Sequence, residues 1–446
     1  MAGGIFDKNT VQVRPGVYVN VSSSKNIAKS QAKQGTVIIP LINHDYGPTD
    51  TLINIPSTSP DIHYDLLGHS VNDIENGNML MIRESLKNAA NVIVWIVKSG
   101  TKATGSGGGV TATAKYGGVR GNDMSFVISA NVVDTNKFDV IVYWSGSVVS
   151  AYYGIASVKE LTELNDPYVS FTESSEGSVL EVVAGVNLSG ATSETATNDD
   201  VSSFLDSIEN AGFDVLCFPV TDDSMQATLV SKIKYLNDSV GKSIVAVVPN
   251  KAADYEFIIN VTNSVKVDGV NLSVAQATAW VAGAYAGARY NESLTYREYD
   301  GATEIIDVKS NEEAIESINN GEFFFSYNDG SIVVECDINS LVTISNGKDK
   351  TYRKNRVIRT ISAIVKNIKK EFSPNKYSND EASWDIMDGQ GAAILKYYED
   401  NNAIKSVDYD DFKVDRELSN GDNTYFNVAI TPIDSSEKLY FTITTN

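Results

Sequence analysis

The side chains best suited to catalysis or metal binding, histidine and cysteine, are few in this sequence. Among its 446 residues there are three histidines and two cysteines. Zinc ligands usually lie close together along the chain in pairs. His44, His63 and His69 show no such spacing, and Cys217 and Cys336 are far apart inside apolar runs. We therefore expect solvated loop histidines, buried and unreactive cysteines, no metal and no cofactor.

Two patterns that could bind phosphate or calcium are incomplete. The glycine run 105–109 lacks the Lys-Ser/Thr pair of a phosphate loop and opens no helix. The acidic pairs at 199–200 and 222–223 lack the central glycine and terminal glutamate of a calcium loop. No catalytic set emerges, so the sequence predicts a protein that is not an enzyme. The alternative left open is a cytosolic α/β enzyme with an unrecognised site at the carboxyl ends of strands near 94–97 and 215–218.

The composition is that of a folded protein with a strong negative charge. Hydrophobic residues make up 42% of the chain, and the formal net charge is −21. A field of this sign disfavours nucleic acid and anionic membranes as partners. The uncharged stretch 269–288 contains polar and small residues, which predicts a tightly packed helix and no membrane insertion. The N-terminus lacks the pattern of a secretory signal, so we expect synthesis in the cytosol and release by lysis or assembly.

Short apolar segments rich in β-branched residues alternate with helical segments along much of the chain. Continuous apolar strands separated by helices are typical of a mostly parallel sheet covered on both faces. The predicted strands are 36–40, 91–97, 213–218 and 243–248, and the predicted helices are 77–90, 201–210 and 224–237.

A different composition interrupts this α/β pattern. Residues 105–190 are rich in Thr, Val, Ser and Asn, with a glycine-rich entry and a polar exit, which predicts an inserted β-rich domain. The predicted fold class is therefore α/β multi-domain, with a split α/β core, this insertion, and an α+β C-terminal domain. The predicted boundaries are 1–25 for an N-terminal arm, 26–104 and 191–322 for the core, 105–190 for the insertion, and 323–446 for the C-terminal domain, whose last strand lies at about 425–446.

One segment reverses the charge of the chain. Between residues 348 and 376 there are ten basic and two acidic residues. A helix there would bury Val357, Ile361 and Ile364 on one side. Two interpretations stay open, an ordinary solvated face and a docking surface whose charge selects an acidic partner. The basic residues concerned are Lys350, Arg353, Lys354, Arg356, Arg359, Lys366, Lys369 and Lys370.

Both ends of the chain show the alternating apolar and polar residues of a half-buried strand. Such a strand either belongs to its own sheet or is an arm that pairs with another molecule. Identical copies that pair head to tail form rings or helical filaments. The candidate arm residues are Val11, Val13, Val17, Tyr18, Val19 and Val21 near the start, and Leu439, Tyr440, Phe441 and Ile443 near the end.

Several segments, spread in order over nearly the whole chain, resemble one protein family. The sequence is similar to the contractile tail sheath proteins of myovirus-type phages and of R-type phage-tail-like bacteriocins, above all the smaller sheaths of Gram-positive prophages. The segments that carry the resemblance are Met1-Ala-Gly-Gly-Ile-Phe6, 13–19, 115–123, 280–288, 291–296 and 431–441.

The resemblance implies a structural subunit with itself as its main partner. Sheath subunits form homo-hexameric rings stacked helically around an inner tail tube protein, between baseplate and tail terminator proteins, and contract to drive the tube through a target envelope. In this family, N- and C-terminal arm strands from neighbouring subunits complete a sheet in the C-terminal domain of a third. The basic segment is assigned to the tube-facing side on its charge. Assembly is expected in the bacterial host cytoplasm, and function in a released phage tail or an extracellular bacteriocin particle.

Overall fold

The computed structural model describes residues 2–4, 16–18, 33–69, 77–344 and 347–445. The chain forms two compact units, residues 1–33 and residues 34–446. In the first unit, strands β1 (Ala2–Gly4) and β2 (Gly16–Tyr18) pair in parallel. The predicted arm residues Val17 and Tyr18 lie on β2. Four further predicted arm residues lie outside the described part of the chain, namely Val11, Val13, Val19 and Val21.

The second unit is built on a seven-stranded sheet. Across the sheet the strands lie in the order Glu322–Phe323, Ile258–Val261, Val245–Pro249, Val215–Cys217, Thr36–Leu41, Asn91–Ile96 and Ile53–Pro56. Its first elements are β3 (Thr36–Leu41), β4 (Ile53–Pro56), helix α1 (Gly77–Leu86) and β5 (Asn91–Ile96). β3 and β5 are parallel, and β4 closes the edge antiparallel to β5. Because β3 is covered on both faces, five of its six residues are buried, which explains its continuous apolar sequence.

After β5 the chain leaves this sheet to form a sandwich of two antiparallel sheets. Their orders are β10-β9-β8-β12 and β11-β7-β6. Alternate residues such as Phe126, Ile128, Val140 and Val142 fill the space between the sheets, which is the reason for the period of two in their sequence. The elements are β6 (Thr104–Gly107), β7 (Val110–Ala114), β8 (Met124–Ala130), β9 (Phe138–Trp144), β10 (Ser147–Ile155), α2 (Val158–Thr162), β11 (Val169–Glu173) and β12 (Val183–Asn187).

The chain then returns to the large sheet. A capping box of Thr197 and Asp200 starts the first returning helix, and Asp222 caps the second. β13 pairs with β3, which joins the two halves of the sheet. The elements are α3 (Asn198–Ser207), β13 (Val215–Cys217), α4 (Asp223–Lys234), β14 (Val245–Pro249) and β15 (Ile258–Val261). The fold is thus mixed α/β with a β-sandwich, and the sequence predicted an α/β core with an inserted β-rich domain at this place.

Helix α5 (Val274–Gly287) crosses the sheet and is buried along most of its length. A small three-stranded sheet precedes and follows it, formed by β16 (Val265–Val267), β17 (Val270–Asn271) and β18 (Ala302–Ile305). The small residues of α5 allow close packing, since a Cβ on Gly283 would lie 2.3 Å from the Ser85 carbonyl oxygen of α1. No helix in the described part of the chain is long and apolar enough to cross a membrane.

The next elements belong to the same α/β core. They are α6 (Asn311–Asn319), β19 (Glu322–Phe323), β20 (Phe325–Asn328) and β21 (Ser331–Val334). β19 is the edge strand of the large sheet, parallel to β15. The boundary predicted at residue 323 therefore falls inside the core, because Phe323, Phe325 and Val334 pack into its hydrophobic cluster.

The last part of the chain forms a small α+β domain. Its elements are α7 (Asn355–Glu371), α8 (Glu381–Asp400), β22 (Phe412–Asn420) and β23 (Asn423–Val428). Ile364 of α7, Leu395 of α8 and Phe412 of β22 form its core. β22 and β23 make a two-stranded antiparallel sheet, and no strand follows β23 in the described residues.

Candidate assembly surface

The final segment of the chain is attached to the C-terminal domain as far as Glu437. The backbone N–H of Ile433 donates to the carbonyl oxygen of Ala403 at 2.9 Å. From α7, the Nη1 atom of Arg356 donates to Ser435 Oγ at 2.8 Å. These bonds fix the start of the tail between α7 and the loop after α8.

Glu437 is the last residue of the tail that is largely enclosed. Its side chain is 13% exposed, and Thr295 Oγ1 donates to its Oε1 atom at 2.7 Å. Its Oε2 atom forms an ion pair with Lys354 Nζ. Burial alone would lower the pKa of Lys354, but the hydrogen bond to Glu437 and the nearby negative charges, chiefly those of Glu437 and Asp434, together raise the pKa above its ordinary value. Glu437 therefore acts as the anchor from which the tail leaves the domain.

Beyond this anchor the apolar side chains are in solvent. Leu439, Tyr440, Phe441 and Ile443 are 66%, 89%, 83% and 88% exposed. Residues 438–445 are assigned to no helix, strand or turn. In an extended chain, Leu439, Phe441 and Ile443 would share one face. Such a run of exposed apolar residues, with a backbone outside any sheet, has the properties of a strand that another sheet could accept.

The hairpin of β22 and β23 has the complementary property. It contains two strands only, and each pairs on one side within the described residues. Two strands are marginally stable in water, whereas a third strand with apolar side chains adds both backbone hydrogen bonds and buried area. Leu418 and Tyr425 of this hairpin are 59% and 50% exposed. The hairpin could therefore accept further strands at its edges.

Several residues of the basic segment contact acceptors in the preceding domain, among them Arg359, Arg353 and Lys366. Arg359 is 6% exposed and donates from Nη2 to Asp337 Oδ2 at 2.7 Å. Arg353 donates from Nη2 to the carbonyl oxygen of Asn319 at 3.0 Å. Lys366 pairs with Asp214 at 2.6 Å.

Of the remaining basic residues, two hold the tail, one contacts the core and two are exposed. Arg356 and Lys354 hold the tail as described above. Lys369 donates to the carbonyl oxygen of Gly241. Lys350 and Lys370 are exposed. Most of these basic side chains thus have partners within the chain. The assignment of the basic segment to the tube-facing side stays a prediction.

The structure brings together two histidines and a carboxylate that the sequence did not connect. His69 Nε2 lies 3.0 Å from Asp45 Oδ1, and His44 Nδ1 lies 3.9 Å from the same oxygen. His44 is 2% exposed, so the expectation of a solvated loop histidine was wrong for this residue. Burial lowers the pKa of His44 to about 4, and its ring is neutral at pH 7. No sequence spacing could reveal this cluster, because the loop after β3 meets a segment 24 residues later.

The cysteines have the inert character that the sequence predicts. Cys217 is fully buried, and its burial raises the pKa of the thiol to about 12. Burial also raises the pKa of the half-buried Cys336, to about 11. Both thiols are therefore protonated at neutral pH, and protonated thiols are poor nucleophiles.

Comparison with known protein families assigns most of the chain. Residues 98–193 match the phage tail sheath protein beta-sandwich domain, residues 194–340 the phage tail sheath protein central domain, and residues 347–446 the phage tail sheath C-terminal domain.

The relatives that match in sequence include a protein of a phage-like element and a phage protein. The phage-like element PBSX protein XkdK of Bacillus subtilis (strain 168) is 34% identical over 476 residues, which cover 100% of both chains. The tail sheath protein of Clostridium phage phiCD119 is 30% identical over 194 residues, which cover 42% of this chain and 54% of the relative.

Solved structures of sheath tail proteins are also similar to this chain over most of its length. The sheath tail protein of Desulfitobacterium hafniense is 35% identical with a TM-score of 0.83, covering 96% of this chain and 99% of that one. The sheath tail protein of Listeria innocua is 34% identical with a TM-score of 0.76, covering 92% and 94%. The contracted helical sheath of the anti-feeding prophage shares the fold at 12% identity, with a TM-score of 0.55 and coverage of 98% and 100%.

Proposed function

Because this chain belongs to the phage tail sheath family and is a subunit of a contractile sheath, we propose that its two ends link it to neighbouring copies. In this proposal the subunits form hexameric rings, stacked helically around an inner tail tube protein. The family points to a structural, non-enzymatic role, which agrees with the absence of a catalytic set in the sequence. The sheath is a component of a phage tail or phage-tail-like particle.

One observation carries this proposal, namely the exposed apolar tail beyond Glu437. A tail in which Tyr440, Phe441 and Ile443 are all more than four-fifths exposed is unfavourable in an isolated subunit. Pairing with a sheet in a neighbour would bury these side chains and satisfy the backbone. The open hairpin of β22 and β23 is the acceptor that we favour. The N-terminal segment, with Val17 and Tyr18 on β2, would supply a second arm.

Strand addition of this kind suits a machine that changes length. Each arm makes a heterologous contact, so the contacts extend from copy to copy around rings and between them. Arms that stay paired would keep the subunits connected while the compact domains move. The extended sheath would be a kinetically trapped state, and contraction would release the free energy stored at assembly without nucleotide hydrolysis.

The other partners follow from the same arrangement. The exposed Lys350 and Lys370, together with Lys366 and Lys369 at the surface of α7, are our candidates for contact with an acidic surface of the tube protein. Baseplate and tail terminator proteins would bind the two ends of the stacked rings. Assembly would take place in the host cytoplasm, and the β-sandwich would face outward.

Truncation of the tail tests this proposal. Residues 438–445, which a chain ending at Glu437 would lack, are all exposed. We therefore expect an unchanged unfolding midpoint but no tubes by negative-stain electron microscopy. Thr442→Pro should also impair assembly, since proline removes one N–H donor from the arm and resists a central strand position. Lys438→Ser, at the start of the same tail, is the control that should assemble like the parent chain.

The same experiment can also refute the arm assignment. If the truncated chain forms tubes of normal length and diameter, the C-terminal arm assignment is refuted. Deletion of residues 1–22 tests the N-terminal arm in the same assay, with circular dichroism to confirm that the deleted chain is folded.

A further inference from the structure

The cluster of His44, Asp45 and His69 lies apart from the tail and plays no part in the proposed assembly contacts. Each residue offers one ligand atom, and the three atoms lie within 4.8 Å of one another. In a tetrahedral zinc site with bonds of about 2.0–2.1 Å, neighbouring ligand atoms are roughly 3.3 Å apart. The 3.0 Å and 3.9 Å separations from Asp45 Oδ1 to the two histidines bracket this value.

The hydrogen bonds of His44 orient it as a ligand. Its Nε2 atom lies 2.9 Å from the carbonyl oxygen of Leu67, an acceptor, so Nε2 carries the proton and donates. Nδ1 is then the atom with a lone pair, and it is the nitrogen nearer to Asp45. Histidine ligands in metalloproteins commonly donate their second N–H to a carbonyl or carboxylate, which fixes the ring in the same way.

We propose that His44 Nδ1, Asp45 Oδ1 and His69 Nε2 form a binding site for a divalent transition-metal ion of the zinc class. Two imidazole nitrogens and one carboxylate oxygen favour zinc and similar ions over Mg²⁺ and Ca²⁺, which prefer oxygen ligands. Asp45 is 34% exposed, so water can reach the site and complete the coordination.

Two neighbours limit the affinity of this site. Asn78 Nδ2 lies 3.2 Å from His44 Nδ1, and its amide must move aside before a metal can bind there. Arg120 acts electrostatically on both His44 and Asp45, and its positive charge opposes a cation. We therefore expect micromolar rather than nanomolar binding.

The position of the site indicates what a bound ion would do. His44 and Asp45 belong to the loop after β3, and His69 follows the 3-10 helix at 60–67. The next residue in the loop, Tyr46, packs into the core of the β-sandwich, and the carbonyl oxygen of Asp45 accepts from the N–H of Arg120 at 3.2 Å. A metal would thus cross-link two core segments where the core contacts the sandwich, and would brace this junction.

Titration calorimetry on the full chain, with any affinity tag removed, tests the proposal. With ZnCl₂ we expect one site per chain, and no comparable heat with MgCl₂ or CaCl₂. His44→Ala, Asp45→Asn and His69→Ala should each weaken binding by at least about tenfold, the scale seen when metal-site residues are removed. Zinc should also raise the unfolding temperature of the parent chain by a few degrees and leave that of Asp45→Asn unchanged.

Two variants separate this site from general surface binding. Asp50→Asn alters an exposed acid in the same loop and should bind zinc like the parent chain. Asn78→Ala removes the competing amide and should bind zinc at least as tightly. Absence of zinc binding at about 0.1 mM, or binding that Asp45→Asn and His69→Ala leave intact while the variants remain folded, overturns the proposal.

Discussion

At the scale of single residues, the most consequential contact is the buried ion pair between Arg359 and Asp337. Asp337 is 1% exposed and also accepts hydrogen bonds from the Leu294 N–H at 3.0 Å and from Asn355 Nδ2 at 2.9 Å. The Arg359 guanidinium lies 4.5 Å above the ring centre of Tyr285. The pair therefore joins α7 to the loop after β21 and to α5, and through them joins the C-terminal domain to the core.

We predict that Arg359→Ala strongly destabilises the subunit. Loss of one partner leaves a buried charge uncompensated, which costs about 3–5 kcal/mol. The free energy of unfolding, measured by urea titration of unassembled subunits, should fall by that amount. Lys370→Ala, at an exposed position of the same helix, should change it by less than about 0.5 kcal/mol. A loss below about 1 kcal/mol for Arg359→Ala would contradict the structural role assigned to the pair.

The contacts of these residues could not be predicted from the sequence. The charge count between 348 and 376 correctly located a basic helix with one buried side, but it could not show that Arg359 itself is buried. Its partners, Asp337 and the carbonyl oxygen of Glu292, come from segments that only the tertiary fold brings near. The same limit applies to His44 and His69, whose proximity depends on the path of the loop after β3.

At the scale of secondary-structure elements, the predictions from the sequence were more accurate than at the scale of single contacts. The strands at 91–96 and 245–249 and the helix at 274–287 all lie close to their predicted positions. Their signals are local, since continuous β-branched runs mark covered strands and small residues mark a closely packed helix. The boundary at 323 was missed because β19 joins the large sheet through a long-range pairing with β15 that no local pattern encodes.

The close packing of α5 on α1 gives a prediction at this scale. Gly283→Ala places a Cβ against the Ser85 backbone, at 2.3 Å from its carbonyl oxygen, and backbone atoms cannot move aside cheaply. We expect the free energy of unfolding to fall by about 1–3 kcal/mol. Gly389→Ala in the exposed part of α8, where a Cβ would meet nothing within 4 Å, should instead stabilise by about 0.5–1 kcal/mol.

Thermal and urea unfolding of the two glycine variants measures whether their stabilities change in opposite directions. Both changes add one methyl group to a helical glycine, so their helix propensities change alike and only the packing differs. Equal effects from Gly283→Ala and Gly389→Ala would show that α5 and α1 do not approach as closely as described.

At the scale of the whole molecule, the sheath subunit combines a rigid body with a released tail. The chain is held firmly between residues 433 and 437 and is exposed over residues 439–445. A sharp change of this kind sets the direction and reach of an arm, because an anchored tail searches a smaller volume than a free one. Glu437 is the last residue of the held segment, and the exposed arm begins directly after it.

We predict that Glu437→Ala impairs assembly without unfolding the subunit. The substitution leaves the arm residues intact but removes the acceptor of Thr295 and the ion-pair partner of Lys354, so the tail should detach back toward Ser435. Limited proteolysis of unassembled subunits should then cut before residue 437 as well as after it, and tube formation should be slower. Glu176→Ala, at an exposed acid between β11 and β12 of the sandwich, is the matched control. If Glu437→Ala assembles at the parental rate while proteolysis confirms a detached tail, the anchor does not position the arm, and strand pairing with the neighbour alone determines the geometry of the sheath.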